Sequence, residues 1–193
     1  YRGPVLYVGA SPKDQRDYIT GQKIGAAPPP RQWSRSESPM LSDIYNTRIL
    51  ELAANIPRLG RLERPDASAT AHSRLCGSTV IVDLAMQDGR VVDFAHDVKA
   101  CALGQASSSI MAAHVIGATA QELRDLRDQV RRMLKENGPP PTGKWADVAM
   151  LEPVRDYKAR HASTLLTFDA AADAATRIEA GQAGAGQAAA ARA

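Results

Sequence analysis

Cysteine is scarce in this chain. Only two occur in 193 residues, alongside two phenylalanines and an aromatic content of 5 %. With so few aromatics, the core must be built from Leu, Val, Ile, Ala and Met. No run approaches the roughly 20 apolar residues of a membrane-crossing helix, so insertion into a membrane is not expected. Basic residues exceed acidic ones by only three. Aromatics do not interleave with a dense basic stripe, which argues against a nucleic-acid partner. No Ser/His/Asp triad, paired-carboxylate site, phosphate-binding loop or internal repeat is evident, and the chain does not read as an enzyme. No charged, apolar and small-residue sequence of a secretion signal opens it. Its cysteines are therefore expected as free thiols or ligands in a reducing compartment, the cytoplasm or, in a eukaryote, the mitochondrial matrix.

What is present is enough for one domain with tails. Apolar residues make up 44 %, and a core of about 130–140 residues buries roughly two-thirds of its unfolded surface. Residues 1–39 read as an extended arm. Pro28-Pro29-Pro30 forbids helix there, few of its apolar residues can join a core, and Trp33 and Tyr7 are read as the exceptions. A helix is predicted from about Ser42 to Asn55, with Ser42 or Asp43 as cap and Ile44, Ile49, Leu50 and Leu52 as its apolar face. Arg61 to Arg74 reads as loop. Thr79 to Met86 and Val91 to Val98 are rich in β-branched residues and flank Asp88-Gly89, the signature of a hairpin. Helices are predicted over Gln105 to Ile116, from a Thr119/Glu122 capping box onward, over Ala146 to Leu151, and over Ser163 to Glu179. The Ala/Gly/Gln-rich tail, residues 180–193, offers little to bury and is expected to be disordered.

Both cysteines flank the hairpin. Cys76 sits in Leu75-Cys76-Gly77-Ser78 before the first strand, and Cys101 follows the second. Antiparallel pairing therefore brings them to the same rim. A lone free cysteine usually serves as a small buried apolar residue. Two thiols at one rim are instead suited to a metal, an iron–sulfur cluster or a persulfide.

The ordered combination resembles the iron–sulfur cluster scaffold family of the NifU amino-terminal, IscU and SufU type over Met40 to Glu179. The resemblance rests on Leu41-Ser42-Asp43-Ile44-Tyr45 through Asn55-Ile56-Pro57-Arg58-Leu59-Gly60, on Cys76-Gly77, and on Cys101 followed by Ala106-Ser107-Ser108-Ser109. The long connection from Gly138 to Leu151 is more similar to SufU. Two positions depart from the family pattern. Ser78 stands where the family has Asp, and Ala162, next to His161, stands where it has a third cysteine. The resemblance implies an α+β fold with a small antiparallel sheet packed against helices over residues 40–179.

It also implies a scaffold or sulfur acceptor holding iron, zinc or a labile cluster through Cys76 and Cys101, with His161 as a third candidate ligand. A zinc site needs about three or four protein ligands and a [2Fe–2S] cluster about four, so sharing across two chains or with a donor is expected. Cys101 is the first candidate for a persulfide and Cys76 the second. A helix amino end at Cys101 would favour its thiolate. His72, His114 and His96 are lesser candidates, His96 as a structural residue. The Ser107-Ser108-Ser109 run reads as close packing and capping. Implied partners are a cysteine desulfurase and recipient apoproteins. The eroded ligand set and the arm of residues 1–39 leave an alternative, a metal-free accessory subunit of a larger, respiratory or iron–sulfur enzyme complex.

Overall fold

Alternating apolar residues on the second strand set the architecture. Val80, Val82 and Leu84 are fully buried on one face of β2 (Thr79–Gln87). β2 pairs antiparallel with β3 (Arg90–Lys99), and register partners such as Leu84 and Phe94 share that face. The turn between them has Asp88 at φ 51° and Gly89 at φ 72°, the left-handed pair that a two-residue hairpin loop requires. The register shifts between Ala85 and Met86, a bulge that leaves Val92 half-exposed. The computed structural model describes residues 46–190, with side chains as far as residue 181. The arm of residues 1–39 and the expected helix start at Ser42 lie outside them.

One strand differs from the sequence reading. Residues Ala67–His72, expected as loop, form β1, which pairs antiparallel with β2 so that the sheet order is β1-β2-β3. Its Ala-Ser-Ala-Thr-Ala-His sequence lacks the branched residues that announce a strand. Pairing with β2 supplies the hydrogen bonds that the local sequence does not advertise.

Helices cover one face of the sheet. α1 (Thr47–Ala54) is capped by Asn46, whose Oδ1 accepts from the Ile49 N–H at 3.0 Å. Ile49 is buried, whereas Leu50 stands half-exposed on the neighbouring face. α2 (Ala102–His114) begins directly after Cys101, and α3 (Ala120–Lys135) is capped as expected, the Thr119 hydroxyl accepting from the Glu122 N–H at 3.1 Å. Gly143–Asp156 is a 3-10 stretch rather than the short helix expected from Ala146. Pro153 lies within it and removes an N–H from any α-helical ladder there. α4 (Lys158–Ala190) packs against β1, β2, α2 and α3. Its Ala170, Ala171, Ala174 and Ala175 are fully buried, and these small side chains let the helix approach its neighbours closely. The backbone of α4 continues through residues expected to be disordered, consistent with the high helix propensity of its alanines and glutamine.

Two further contacts hold the chain around the sheet. His96 is buried as the structural residue expected, its Nε2 2.9 Å from the Pro57 carbonyl oxygen. Burial pushes its pKa down, so it is a neutral ring donating Nε2–H to that carbonyl. On the opposite sheet face, the fully buried Asp83 accepts from Arg61 at 2.6 and 2.8 Å, from Ser68 Oγ at 2.6 Å and from the Leu62 N–H at 3.1 Å. These bonds fasten the connection after α1 onto β2. Among the described residues, no helix is long and apolar enough to cross a membrane.

Candidate functional site

The β1–β2 connection is a closed loop. The Ser73 N–H donates to the Ser78 carbonyl and the Gly77 N–H to the Ser73 carbonyl, both at 2.9 Å. Gly77 adopts φ 69°, a left-handed conformation that glycine takes without strain. This closure leaves Cys76 exposed while Ser73 and Ser78 are buried beneath it. Their hydroxyl oxygens lie 3.3 and 3.1 Å from Cys76 Sγ. Bonds to Ser73 and then Ser78 outweigh the desolvation of the thiol, and with the Arg160 charge they lower the Cys76 pKa to about 7. A hydroxyl that donates to sulfur stabilises the thiolate over the thiol.

Cys101 stands two residues beyond Lys99, whose register partner is Thr79, so the hairpin does carry both thiols to one end. It occupies the N-cap position of α2, as the helix-end expectation required, and is half-buried against the core. Its Sγ donates to Ser163 Oγ at 3.4 Å, and Ser163 Oγ donates in turn to the Arg160 carbonyl at 3.0 Å. The same Arg160 acts on Cys76 through its charge. The amino-terminal part of α4 therefore bonds one sulfur and bears on the other by charge.

Gly104 permits this closeness. A Cβ there would meet Ala100 Cβ at 2.7 Å and the Ser163 carbonyl oxygen at 3.0 Å. Gly104→Ala is expected to push α2 from α4, to cost about 1–3 kcal/mol by overpacking, and to lengthen the Cys101–Ser163 contact. Urea unfolding checks the stability loss, and the alkylation rate of Cys101 checks the local effect.

The third expected ligand is placed differently. His161 is buried, with Nε2 at 3.1 Å from the Val154 carbonyl oxygen and 3.0 Å from that of Arg155. That nitrogen tethers the end of the 3-10 stretch to α4. Ala162 beside it has no donor. Among the described residues, no three His, Cys, Asp or Glu side chains are grouped to hold a metal ion. His72 Nδ1 lies 2.9 Å from Thr79 Oγ1, and His114 Nε2 lies 2.8 Å from Asp147 Oδ2. Sequence reasoning missed Ser73, Ser163 and Arg160. The spacing Ser73-x-x-Cys76-x-Ser78 was the available signal for the first of them.

Comparison with known proteins agrees with the hairpin and the helical cover. Residues 44–164 match the family described as NifU-like N terminal domain. The iron-sulfur cluster assembly scaffold protein IscU of Thermotoga maritima is 26 % identical over 136 residues, covering 70 % of this chain and 94 % of that protein. The crystal structure of a nitrogen-fixing NifU-like protein (N-terminal) from Brucella abortus is 70 % identical, with a TM-score of 0.70 over 72 % of this chain and 96 % of that one. A putative iron-sulfur cluster assembly scaffold protein for the SUF system from Fervidobacterium islandicum shares the fold at 20 % identity, with a TM-score of 0.65 over 70 % of this chain and 99 % of that one. By the extent of the family match and the likeness to the Brucella protein, the chain belongs to the NifU-like N-terminal domain family.

Proposed function

We propose that this chain is a sulfur-accepting scaffold of iron–sulfur cluster assembly, with Cys76 as the acceptor and Cys101 as the second sulfur ligand. The observation that carries the reading is an exposed thiol set on two buried serine hydroxyls, beside a second thiol and an arginine. Its greater exposure favours Cys76 over Cys101 as the acceptor, the reverse of the order suggested by the sequence. The Cys76 thiolate attacks the terminal sulfur of a donor persulfide, as a cysteine desulfurase would present it. A new S–S bond forms on Cys76, the donor S–S bond breaks, and its electron pair leaves on the donor thiolate. The chain acts as a carrier, and its cargo passes to recipient apoproteins.

Iron or an iron–sulfur cluster is cargo in this reading. One chain offers two thiolates, fewer than the about four ligands a [2Fe–2S] cluster takes, so a second chain or the donor completes the set. Zinc in the same position would meet the same shortage. The carbonyl-bound His161 and the donor-free Ala162 also support a second reading, a metal-free accessory subunit that meets its complex through residues 1–39. Iron, zinc and acid-labile sulfide are measured in anaerobically purified full chain and in a Cys76→Ser/Cys101→Ser double variant. Iron with sulfide in the wild type only supports the scaffold. No metal in either, together with no sulfur uptake, leaves the accessory reading.

His161 separates a ligand from a tether. His161→Ala is expected to lower stability by about 1–3 kcal/mol, because the buried Val154 carbonyl and the part-buried Arg155 carbonyl lose their donor. Sulfur uptake by the folded variant stays at the wild-type level. A loss of uptake in a variant shown to be folded by circular dichroism would return His161 to the site.

A further inference from the structure

The acceptor reading leaves Cys101 with a ligand's role only, yet its placement serves a second reaction. It lies at the same hairpin end as Cys76, and near the start of α4 Ser163 is bonded to Cys101 while Arg160 acts on Cys76 through its charge. Both cysteines are free. Cys101 is half-buried with its thiol hydrogen bonded to Ser163, whereas Cys76 is exposed to a donor. An exposed thiol that receives and a sheltered one that waits divide the two halves of a sulfur exchange.

Building on the acceptor reading, we infer that Cys101 is a resolving thiol that discharges the Cys76 persulfide as hydrosulfide, so that the chain releases inorganic sulfide without iron being present. Cys101 gives its proton to solvent and its thiolate attacks Cys76 Sγ. The Cys76–Cys101 S–S bond forms, and the bond from Cys76 Sγ to the terminal sulfur breaks. That sulfur leaves with the electron pair and its own proton as HS⁻. The terminal sulfur is thereby reduced by two electrons, and the two cysteine thiols are oxidised to a disulfide. A dithiol reductant of the thioredoxin class resets the pair. A disulfide joins Cα atoms only within about 7 Å, so its appearance is also a direct reading of how closely the two loops converge.

The absence of a third cysteine gives this chemistry its setting. Ala162 holds no competing thiol, so the persulfide has one intramolecular thiol partner in the chain. Serine is itself a strong N-cap residue, so Cys101→Ser keeps the start of α2 while removing the nucleophile.

The test loads the reduced full chain with glutathione persulfide, removes all small thiols by gel filtration, and follows hydrosulfide together with the alkylated intact mass. The wild type is expected to release hydrosulfide as its mass falls to that of a disulfide linking Cys76 and Cys101. Cys101→Ser and Cys101→Ala are expected to retain the extra sulfur on Cys76, with release slower by on the order of tenfold or more. A wild type that holds its persulfide as long as Cys101→Ser does, or that releases sulfide without the disulfide, overturns the resolving role and leaves Cys76 as acceptor. Failure of every form to load at Cys76 overturns the acceptor reading, and this inference with it.

Discussion

Alkylation of Cys76 in a Cys101→Ser background is expected to rise with pH through a midpoint of about 7. An ordinary cysteine titrates near pH 8.5. The direction follows from the hydroxyls of Ser73 and Ser78, which lie 3.3 and 3.1 Å from the sulfur and stabilise its charged form. The rate increases with pH because only the thiolate reacts, and it levels once the thiol is ionised. A thiolate of lower pKa is also a weaker nucleophile, so the plateau should lie several-fold below that of an unperturbed cysteine. The advantage is therefore largest on the acid side, around pH 6, where an ordinary thiol is almost wholly protonated. Ser73→Ala combined with Ser78→Ala should move the midpoint up toward roughly 8–9 and raise the plateau. A midpoint unchanged by the two substitutions would show that the hydroxyls do not govern the sulfur. Ser78→Thr, which keeps the hydroxyl, should restore much of the wild-type profile.

Asp83→Ala is expected to destabilise the domain by about 2–4 kcal/mol, measured by urea unfolding. Its carboxylate is fully buried and gathers Arg61, Ser68 Oγ and the Leu62 N–H. Truncation removes a buried charge together with the acceptor of every one of these donors. Arg61 is half-exposed and can turn to water, which keeps the loss toward the lower end of that range. Burial alone would raise the Asp83 pKa, but the bonds from Arg61, Ser68 and Leu62 hold it below the ordinary carboxylate value. A depressed folded-state pKa stabilises above the unfolded value of roughly 3.9, and that contribution is lost as pH falls through the folded-state pKa. The wild type should therefore lose stability on acidification below about pH 4 more steeply than Asp83→Ala. Parallel pH dependences in the two proteins would remove the carboxylate from the account.

Local chemistry explains which parts of the fold were legible. The β2–β3 hairpin was readable because Thr79-Val80-Ile81-Val82 and the Asp88-Gly89 turn state the same structure twice, by propensity and by backbone geometry. The family resemblance, which carried the α+β architecture, rests on the stretch from Leu41 to Gly60 and on the cysteine motifs that flank that hairpin. β1 was not readable, since small residues alternating with Ser and Thr become a strand only when β2 offers its edge. The 3-10 stretch and the length of α4 were misjudged for opposite reasons. Pro153 interrupts an otherwise helical pattern, while alanine continues a helix past the residues that have anything to bury.

At the site, spacing alone predicted that both cysteines share one rim, because antiparallel pairing returns the two outer ends of a hairpin to the same edge. Ser73, Ser163 and Arg160 were missed because turn closure and the docking of α4 bring them in, and neither leaves a periodic trace. The orientation of His161 was equally hidden. The carbonyls of Val154 and Arg155 capture its ring only because the 3-10 stretch ends beside α4.

The most direct test of the central claim is to locate the sulfur. Reduced full chain is exposed briefly to a persulfide donor without iron, trapped with an alkylating agent, and digested so that the peptides bearing Cys76 and Cys101 are weighed separately. The account predicts the extra sulfur atom on the Cys76 peptide at the earliest times. Its first appearance on Cys101, or on neither cysteine, would contradict it.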